Sequence, residues 1–234
     1  VHSYQSAAVF AATQQLAKDV SAHLSPRAGS YHEIFLDKKP VAIDTVVDVE
    51  PIYGATYLPR KFKMAIAVPP VNDVDVLAHC LGFVAIVEND KVVGYTVTVG
   101  GGMGSTRNNN DTYPNLAQPL GFCTPEQAVD VAEKVVLVQR DFGDRVNRKQ
   151  ARLKYTIAKR GIQWMRDQVE SRLGYKLQPA REFSFNTNND CFGWADGVPG
   201  FKNYTMWIQQ GRIADFPGNP LRSKLRELIK DFGG

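Results

Sequence analysis

Between positions 4 and 24, Ala, Val, Phe and Leu recur at helical spacing, which predicts an N-terminal helix. Ser25-Pro26 ends it, because the residue before a proline resists the α region. The pattern then shortens. Tyr31 to Asp37 alternates as a strand does, and Lys61 to Val68 reads as a strand stopped by Pro69-Pro70. Phe83–Val87 and Val92–Val99 flank the turn Glu88-Asn89-Asp90-Lys91 and predict a β-hairpin. A glycine loop and a polar stretch follow, from Gly100 to Gln118. Thr124-Pro125-Glu126-Gln127 opens the next helix, with Thr as N-cap, Pro at the first helical position and Gln at the third. That helix runs to about Arg140 on a buried stripe of Val129, Ala132, Val136 and Leu137. A second long helix is predicted over Arg148–Leu173, ended by Gly174 as a left-handed cap. A smaller unit closes the chain, with strands near 181–185, 204–209 and 213–216, a turn at Gln210-Gly211-Arg212, and a helix over 220–232.

Strands and helices without a regular βαβ repeat imply an α+β fold, a mixed sheet flanked by helices. The segmentation is residues 1–43 as helix and linker, 44–185 as the main domain, and 186–234 as an incomplete smaller one. Among the 234 residues, 44% are hydrophobic and 22% charged, which are globular values and exclude disorder as the main state. No apolar run reaches the roughly 20 residues of a bilayer span, so no membrane association is expected. Lys and Arg exceed Asp and Glu by only 4, too little to imply a polyanionic partner without knowing where the charges sit. Cys80, Cys123 and Cys191 form no Cys-x-x-Cys pair. They exclude a disulfide framework and point to a reducing, cytoplasmic setting, with no metal site built inside this chain. Packing as small hydrophobes is the expectation for them. The chain opens on Val1 and closes on Gly234 just after a helical pattern, and the expectation is a piece of a longer polypeptide.

Three features could carry chemistry. Pro59-Arg60-Lys61-Phe62-Lys63 opens an otherwise apolar strand, where Lys61 and Lys63 share a face. Two ammonium groups on one face repel unless an anion sits between them. A solvated strand end is the bland alternative. Val99-Gly100-Gly101-Gly102-Met103-Gly104 follows a strand directly, and such a run can bring backbone N–H groups close to a flat or phosphate-bearing ligand. Its spacing is neither a dinucleotide fingerprint nor a P-loop, and a mobile turn is the alternative. Finally, nine cations lie between Arg145 and Arg172, with Arg145, Arg148, Lys149 and Arg152 on the expected first turns of a helix. A solvated face is the usual meaning of such a run. Cations at a helix N-terminus oppose its dipole, however, and a docked anion would offset that. His2, His23, His32 and His79 show no ligand spacing, and no nucleophile–base set can be assembled. Aromatic residues are not interleaved with the basic ones, so no nucleic-acid partner is expected.

Taken in order, these segments resemble the siroheme-containing sulfite and nitrite reductase family, in its assimilatory sulfite-reducing haemoprotein branch. The resemblance runs from about His23 to Gly234. It rests on His23-Leu24-Ser25-Pro26-Arg27, Glu50-Pro51-Ile52-Tyr53-Gly54, Tyr57-Leu58-Pro59-Arg60-Lys61-Phe62-Lys63, Val99-Gly100-Gly101-Gly102-Met103, Gln139-Arg140-Asp141 and Asn147 to Thr156. It implies a six-electron reduction of sulfite to sulfide in sulfur assimilation, at a siroheme iron bridged through a cysteine thiolate to a 4Fe–4S cluster. Lys61 and Lys63 would be the catalytic residues of the anion pocket. Arg60, Gly100, Gly101, Gly102, Arg148, Arg152 and Lys154 would hold the siroheme and its eight carboxylates. The family's cluster ligands come as two Cys pairs C-terminal to the matching region, and the cysteines here match none of them. The resemblance therefore implies the siroheme-cradling domain at 44–185 and part of a ferredoxin-like half-domain at 186–234. Its partners would be sulfite, the rest of its own polypeptide including the cluster domain, and a flavoprotein or ferredoxin electron donor. Nitrite reductase is the alternative, since in that branch the matching strand ends in Trp-Asn where Lys63 stands here. A non-catalytic scaffold or docking domain is the alternative from another class.

Overall fold

A computed structural model describes residues 6–27, 35–36, 39–40, 50–190, 192–197 and 200–232. The elements in chain order are α1 (Ala7–Leu24), β1 (Phe35–Leu36), β2 (Lys39–Pro40), β3 (Met64–Ala67), β4 (Leu81–Glu88), β5 (Lys91–Val99), β6 (Gln118–Cys123), α2 (Ala128–Phe142), α3 (Leu153–Arg160), α4 (Ile162–Leu173), β7 (Gly193–Asp196), β8 (Lys202–Thr205), β9 (Asp215–Phe216), β10 (Asn219–Pro220) and α5 (Leu221–Phe232). They fall into two units, Val1–Asn189 and Asp190–Gly234.

The first unit is built on a four-stranded mixed sheet in the order β3-β4-β5-β6, with β3 parallel to β4 and the other pairs antiparallel. Asn89 and Asp90 both take left-handed φ, 49° and 58°, which suits the twist of a two-residue hairpin turn between β4 and β5. Leu81, Phe83, Ala85, Tyr95, Val97 and Val99 pack on one face against α1 to α4, through Leu16, Val20, Val131, Val135, Leu153, Ile157, Met165 and Val169. The other face is covered by a 3-10 turn at Val76–Ala78 and by Phe183 and Phe185, around Ala67, Val76 and Val84. The sheet is thus mixed and flanked by helices, as the pattern of elements implied.

Several sequence expectations change. The strand Tyr31–Asp37 lies largely outside the described residues; within it, Phe35 and Leu36 pair with Pro40 and Lys39. The strand read at Lys61–Val68 is shorter, and Lys61 and Lys63 precede it. β6 falls partly inside the stretch read as a polar loop, because Gln118-Pro119 opens it and hides its apolar run. Residues 181–185 form no strand. They are fastened to the first unit, with Thr96 Oγ1 donating to the Arg181 carbonyl at 2.8 Å and Asn186 N–H donating to the Pro70 carbonyl at 2.8 Å. The long helix over 148–173 is two helices. Gly161 separates them at φ 89° and ψ 157°, a conformation that side-chain-bearing residues avoid. Arg145, Arg148 and Lys149 consequently precede α3, and Arg152 is its N-cap. The expected crowding of cations on a helical first turn does not arise.

The second unit holds two short ladders, β7–β8 and β9–β10, and the amphipathic α5. The strands read at 204–209 and 213–216 are observed at 202–205 and 215–216. Trp194, Tyr204, Trp207, Phe216, Leu228, Ile229 and Phe232 are exposed within it.

Two buried polar side chains fasten the helices, Gln139 joining α2 to α3 and Glu170 joining α4 to the segment that follows it. Gln139 Nε2 donates to the Ala151 carbonyl at 2.7 Å, and its Oε1 accepts from Thr156 Oγ1 at 3.2 Å. Gln139→Leu leaves both partners unpaired, and we expect a loss of about 2 kcal/mol in a urea titration. Glu170, 5% exposed, accepts from Arg166 Nε at 2.8 Å and the Leu177 N–H at 3.1 Å, and pairs with Lys176 at 2.8 Å. Burial alone would push its carboxyl up, but Lys176, Arg166 and the Leu177 amide hold it below its ordinary value of 4.5. Its folded value lies below the unfolded one, so the stability it contributes is present above pH 4.5 and is lost as pH falls through the depressed value. We expect Glu170→Gln to flatten the acid side of the stability profile below pH 4.5; an unchanged slope there would refute this assignment.

Candidate functional site

The parallel ladder extends one residue ahead of β3, since Leu81 N–H donates to the Lys63 carbonyl at 3.2 Å. On the other side of β4, Gly100 N–H donates to the Cys80 carbonyl at 2.9 Å. Lys63, Cys80 and Gly100 therefore lie in one row across the end of the sheet. Phe62, Met64, Ile66 and Val68 pack toward the helices, while Ala65 and Ala67 belong to the opposite face. Strand alternation puts Lys63 with Ala65, and Lys61 one step further along the same side. Lys61 and Lys63 are exposed and Arg60 is half-buried. Among the described residues none of the three has an ion-pair partner.

Gly100, Gly101 and Gly102 are buried. Gly100 has φ 89°, and its missing Cβ would meet Ile157 Cδ1 at 3.0 Å. A Cβ on Gly101 would lie 2.2 Å from the Leu77 carbonyl oxygen and 2.4 Å from that of His79. Only glycine permits this backbone-on-backbone approach. The expectation that the loop offers its N–H groups to a ligand is corrected. Gly100, Gly101 and Gly102 donate to the carbonyls of Cys80, His79 and Asn115, at 2.9, 2.8 and 2.8 Å. Asn115, which the sequence did not single out, fastens the return strand of the loop, its Nδ2 donating to the Gly100 and Leu116 carbonyls at 2.9 and 3.0 Å.

Arg152 reaches this row from the start of α3. Its Nη2 lies 3.4 Å from Cys80 Sγ, and its guanidinium fills the space beside Gly102, 2.9 Å from where a Cβ would stand. Its Nε is buried without a hydrogen-bond partner, and no carboxylate among the described residues pairs with it. Cys80 as the neighbour of Arg152 is a second residue that sequence reasoning did not assign to the site; position before a buried strand was its only signal.

Lys154 departs from its expected role. It is 1% exposed, and Nζ donates to the carbonyls of Gly102 at 2.9 Å, Gly104 at 2.8 Å and Tyr113. The rings of Tyr155 and Tyr113 stand 4.9 and 5.8 Å from it. All three ammonium donors are engaged, so Lys154 shapes the loop rather than facing a ligand. Burial, with the Arg152 charge beside it, lowers its pKa from the ordinary 10.5. Arg148 is exposed, on a 3-10 turn, and is not one helical turn from Arg152.

Cys80 and Cys123 are free and buried, and Cys191 lies outside the described residues. Burial pushes the Cys123 thiol up to about 12, so it is an inert packing group. Among the described residues, no three His, Cys, Asp or Glu side chains gather into a metal-binding group. The donor set that a 4Fe–4S cluster needs is not met by them.

This end of a mixed sheet, with its glycine loop and unpaired cations, sits in a chain that belongs to a known family: residues 17–177 match the nitrite and sulphite reductase 4Fe-4S domain. The chain is 53% identical over 220 residues to a "Sulfite reductase [NADPH] hemoprotein beta-component" of Myxococcus xanthus, covering 94% of this chain and 39% of that protein. It is 51% identical over 231 residues to the protein of the same name in Anoxybacillus flavithermus, covering 99% and 40%. The chain thus spans about two fifths of the length of these relatives. Among solved structures, the Mycobacterium tuberculosis NirA protein superimposes with a TM-score of 0.54 at 28% identity, over 62% of this chain and 26% of that one. No helix among the described residues is long and apolar enough to cross a membrane.

Replacing Lys154 by Met would leave the carbonyls of Gly102, Gly104 and Tyr113 without their donor. We expect a loss of about 3 kcal/mol on chemical denaturation. A variant as stable as the parent would show that the ammonium does not hold the loop.

Proposed function

We propose that this chain is the siroheme-cradling portion of an assimilatory sulfite reductase haemoprotein, acting in the six-electron reduction of sulfite to sulfide. The observation that carries it is the row Lys63–Cys80–Gly100. The backbone of Lys63 and the Arg152 guanidinium, which lies beside Cys80, are both at this row. Arg60 and Lys61 immediately precede Lys63 in the chain, and no carboxylate among the described residues pairs with any of the four. Repulsion among like charges that face no counter-charge disfavours such a gathering, and an anionic ligand relieves it. A polycarboxylate macrocycle and a small dianion are ligands of that kind. The orphaned, buried Nε of Arg152 fits a carboxylate acceptor.

In this reading Arg152, with Arg60 and the outlying Arg148, holds the carboxylates of the siroheme, and Gly100–Gly102 allow close approach of its ring. Siroheme supplies the iron at which sulfite is reduced. The chain's own residues bind and orient sulfite through Lys61 and Lys63, whose Nζ atoms carry donatable protons where oxygen leaves as water. Residues 44–185 form the cradle and 186–234 contribute to a ferredoxin-like half-domain. The 4Fe–4S ligands lie in the remaining part of the polypeptide, because Cys80 and Cys123 are buried apart in the core. The name these relatives carry, sulfite reductase [NADPH], favours an NADPH-linked flavoprotein donor over a ferredoxin. The cysteine usage fits a cytoplasmic setting. Nitrite reduction is the second reading, and Lys63 argues against it, since sulfite carries more charge than nitrite and gains more from a second ammonium.

In the full-length enzyme, Lys61→Met or Lys63→Met should lower sulfite turnover by one to two decades, corresponding to a lost charge-assisted contact of about 1.5–3 kcal/mol, with siroheme content near normal. Arg152→Met should instead lower the ratio of Soret to protein absorbance. Lys63→Asn should raise the ratio of nitrite to sulfite turnover. If Lys63→Met kept sulfite kinetics intact, the sulfite assignment would be wrong.

A further inference from the structure

Arg145 falls among the cations expected on the first turns of a basic helix, but its guanidinium is turned onto backbone. Its Nη2 donates to the Tyr57 carbonyl at 2.6 Å and to the Arg140 carbonyl at 2.9 Å, and its Nη1 donates to the Thr56 carbonyl at 3.1 Å. Tyr57 is held at φ 53°, a left-handed conformation that a bulky side chain rarely adopts. The same segment is gripped twice more from the end of α2. Arg140 Nη1 donates to the Ile52 carbonyl at 2.6 Å. Gly143 lies so close to Pro59 that a Cβ on it would stand 2.5 Å from Pro59 Cγ. The braced segment, 52–59, leads without interruption into Arg60, Lys61 and Lys63. The strained residue stands four positions before Lys61.

We propose that Arg145 is a positioning residue for the anion-binding lysines. It holds Tyr57 in its left-handed conformation, and so fixes the direction in which 58–63 enters the end of the sheet. The function of that fixing rests on the anion-binding reading of Lys61 and Lys63 given above. The brace itself does not. Tyr57 N–H also donates to the Tyr53 carbonyl at 3.2 Å, and its ring stacks on that of Tyr53 with centroids 5.8 Å apart, contacts that fix it to the turn before it. The bonds from Arg145 to the Thr56 and Tyr57 carbonyls fix the direction of the chain after it. Without them 58–63 loses its fixed path, while the sheet, braced by its own ladder, stays in place. Ground-state binding of the anion then weakens more than turnover at saturation.

The test uses the full-length holoenzyme carrying Arg145→Ala, with Arg145→Lys as a second variant that retains the charge and a single donor centre. Amide hydrogen exchange is followed at 54–63, with the β4–β5 hairpin as the internal reference. Exchange at 54–63 should rise about tenfold in Arg145→Ala and less in Arg145→Lys, with the hairpin unchanged. The KM for sulfite should rise about tenfold with kcat changed less than about twofold, and the Soret-to-protein ratio should be unchanged. In combination with Lys61→Met, Arg145→Ala should add little further loss, because both act through the same contact. Unchanged exchange at 54–63 in both variants would overturn the brace. Faster exchange there with an unchanged KM would overturn its link to anion binding. Equal loosening of the hairpin would reduce Arg145 to a general stabilising role and overturn the proposal. Should Lys61→Met leave sulfite kinetics intact, the sulfite reading fails, whereas the exchange measurement still decides the brace.

Discussion

The site depends on one close approach, the backbone of Gly101 lying against that of residues 77–79. A Cβ would be 2.2 Å from the Leu77 oxygen, so this contact exists only because position 101 has no side chain. It lets Gly101 N–H reach the His79 carbonyl and Gly100 N–H the Cys80 carbonyl. Those bonds extend the β4–β5 ladder past its last residue pair and bring the loop flush with the end of the sheet. Because β3 adjoins β4 in parallel, the same row includes Lys63. A side chain at 101 would displace the loop from the row, and with it the carbonyls of Gly102 and Gly104 that Lys154 holds. Arg152 would then lose the space beside Gly102 that it fills.

Two cations stand close together here and serve opposite purposes. Lys154 is sealed and bonded to three carbonyls, a geometry that satisfies all its donors and leaves none for a ligand. Among the described residues, the Arg152 guanidinium has the Cys80 thiol as its hydrogen-bond partner and a buried Nε without one. A guanidinium held in that way costs free energy that an acceptor arriving from outside would recover. The difference follows from position on the chain. Residue 154 lies inside the first turn of α3 and is buried, whereas residue 152, at the N-cap, is placed at the boundary where the loop and the end of the sheet meet.

Most of the sheet and the helices were legible because their periodicity is local: the hairpin, the capped α2 and α1 each carry their own pattern and turn chemistry. What was not legible depends on partners distant along the chain. β6 looks polar at Gln118-Pro119 and becomes a strand because β5 offers an edge. Residues 181–185 have strand composition, yet the hydroxyl of Thr96 and the backbone near Pro70 and Asn72 pin this stretch to the first unit. The break between α3 and α4 could have been anticipated, since Gly161 interrupts a helical pattern, but a lone glycine within a helix is commonly tolerated. The glycine run was identifiable as a place of close approach. Its N–H groups, expected to face a ligand, instead bond the carbonyls of Cys80, His79 and Asn115.

The basic run from Arg145 to Arg172 shows how charge in a sequence is sorted by structure. Lys159 pairs with Asp144, Arg166 with Glu170, and Arg172 with Asp141. Arg160 lies over the rings of Phe142 and Trp164. Arg145 and Lys154 bond backbone carbonyls. Of the nine cations, that leaves Arg148, Lys149 and Arg152, the first two exposed and the third half-buried at the end of the sheet. A run that reads as one electropositive helix face is therefore mostly internal wiring. Within this run the electrostatic argument for an anion rests chiefly on Arg152, to which the two lysines ahead of β3 are added from outside it. Lys63 and Arg152 come from segments about ninety residues apart in the chain and reach one row through the backbone bond of Lys63 to Leu81 and the contact of Arg152 with Cys80.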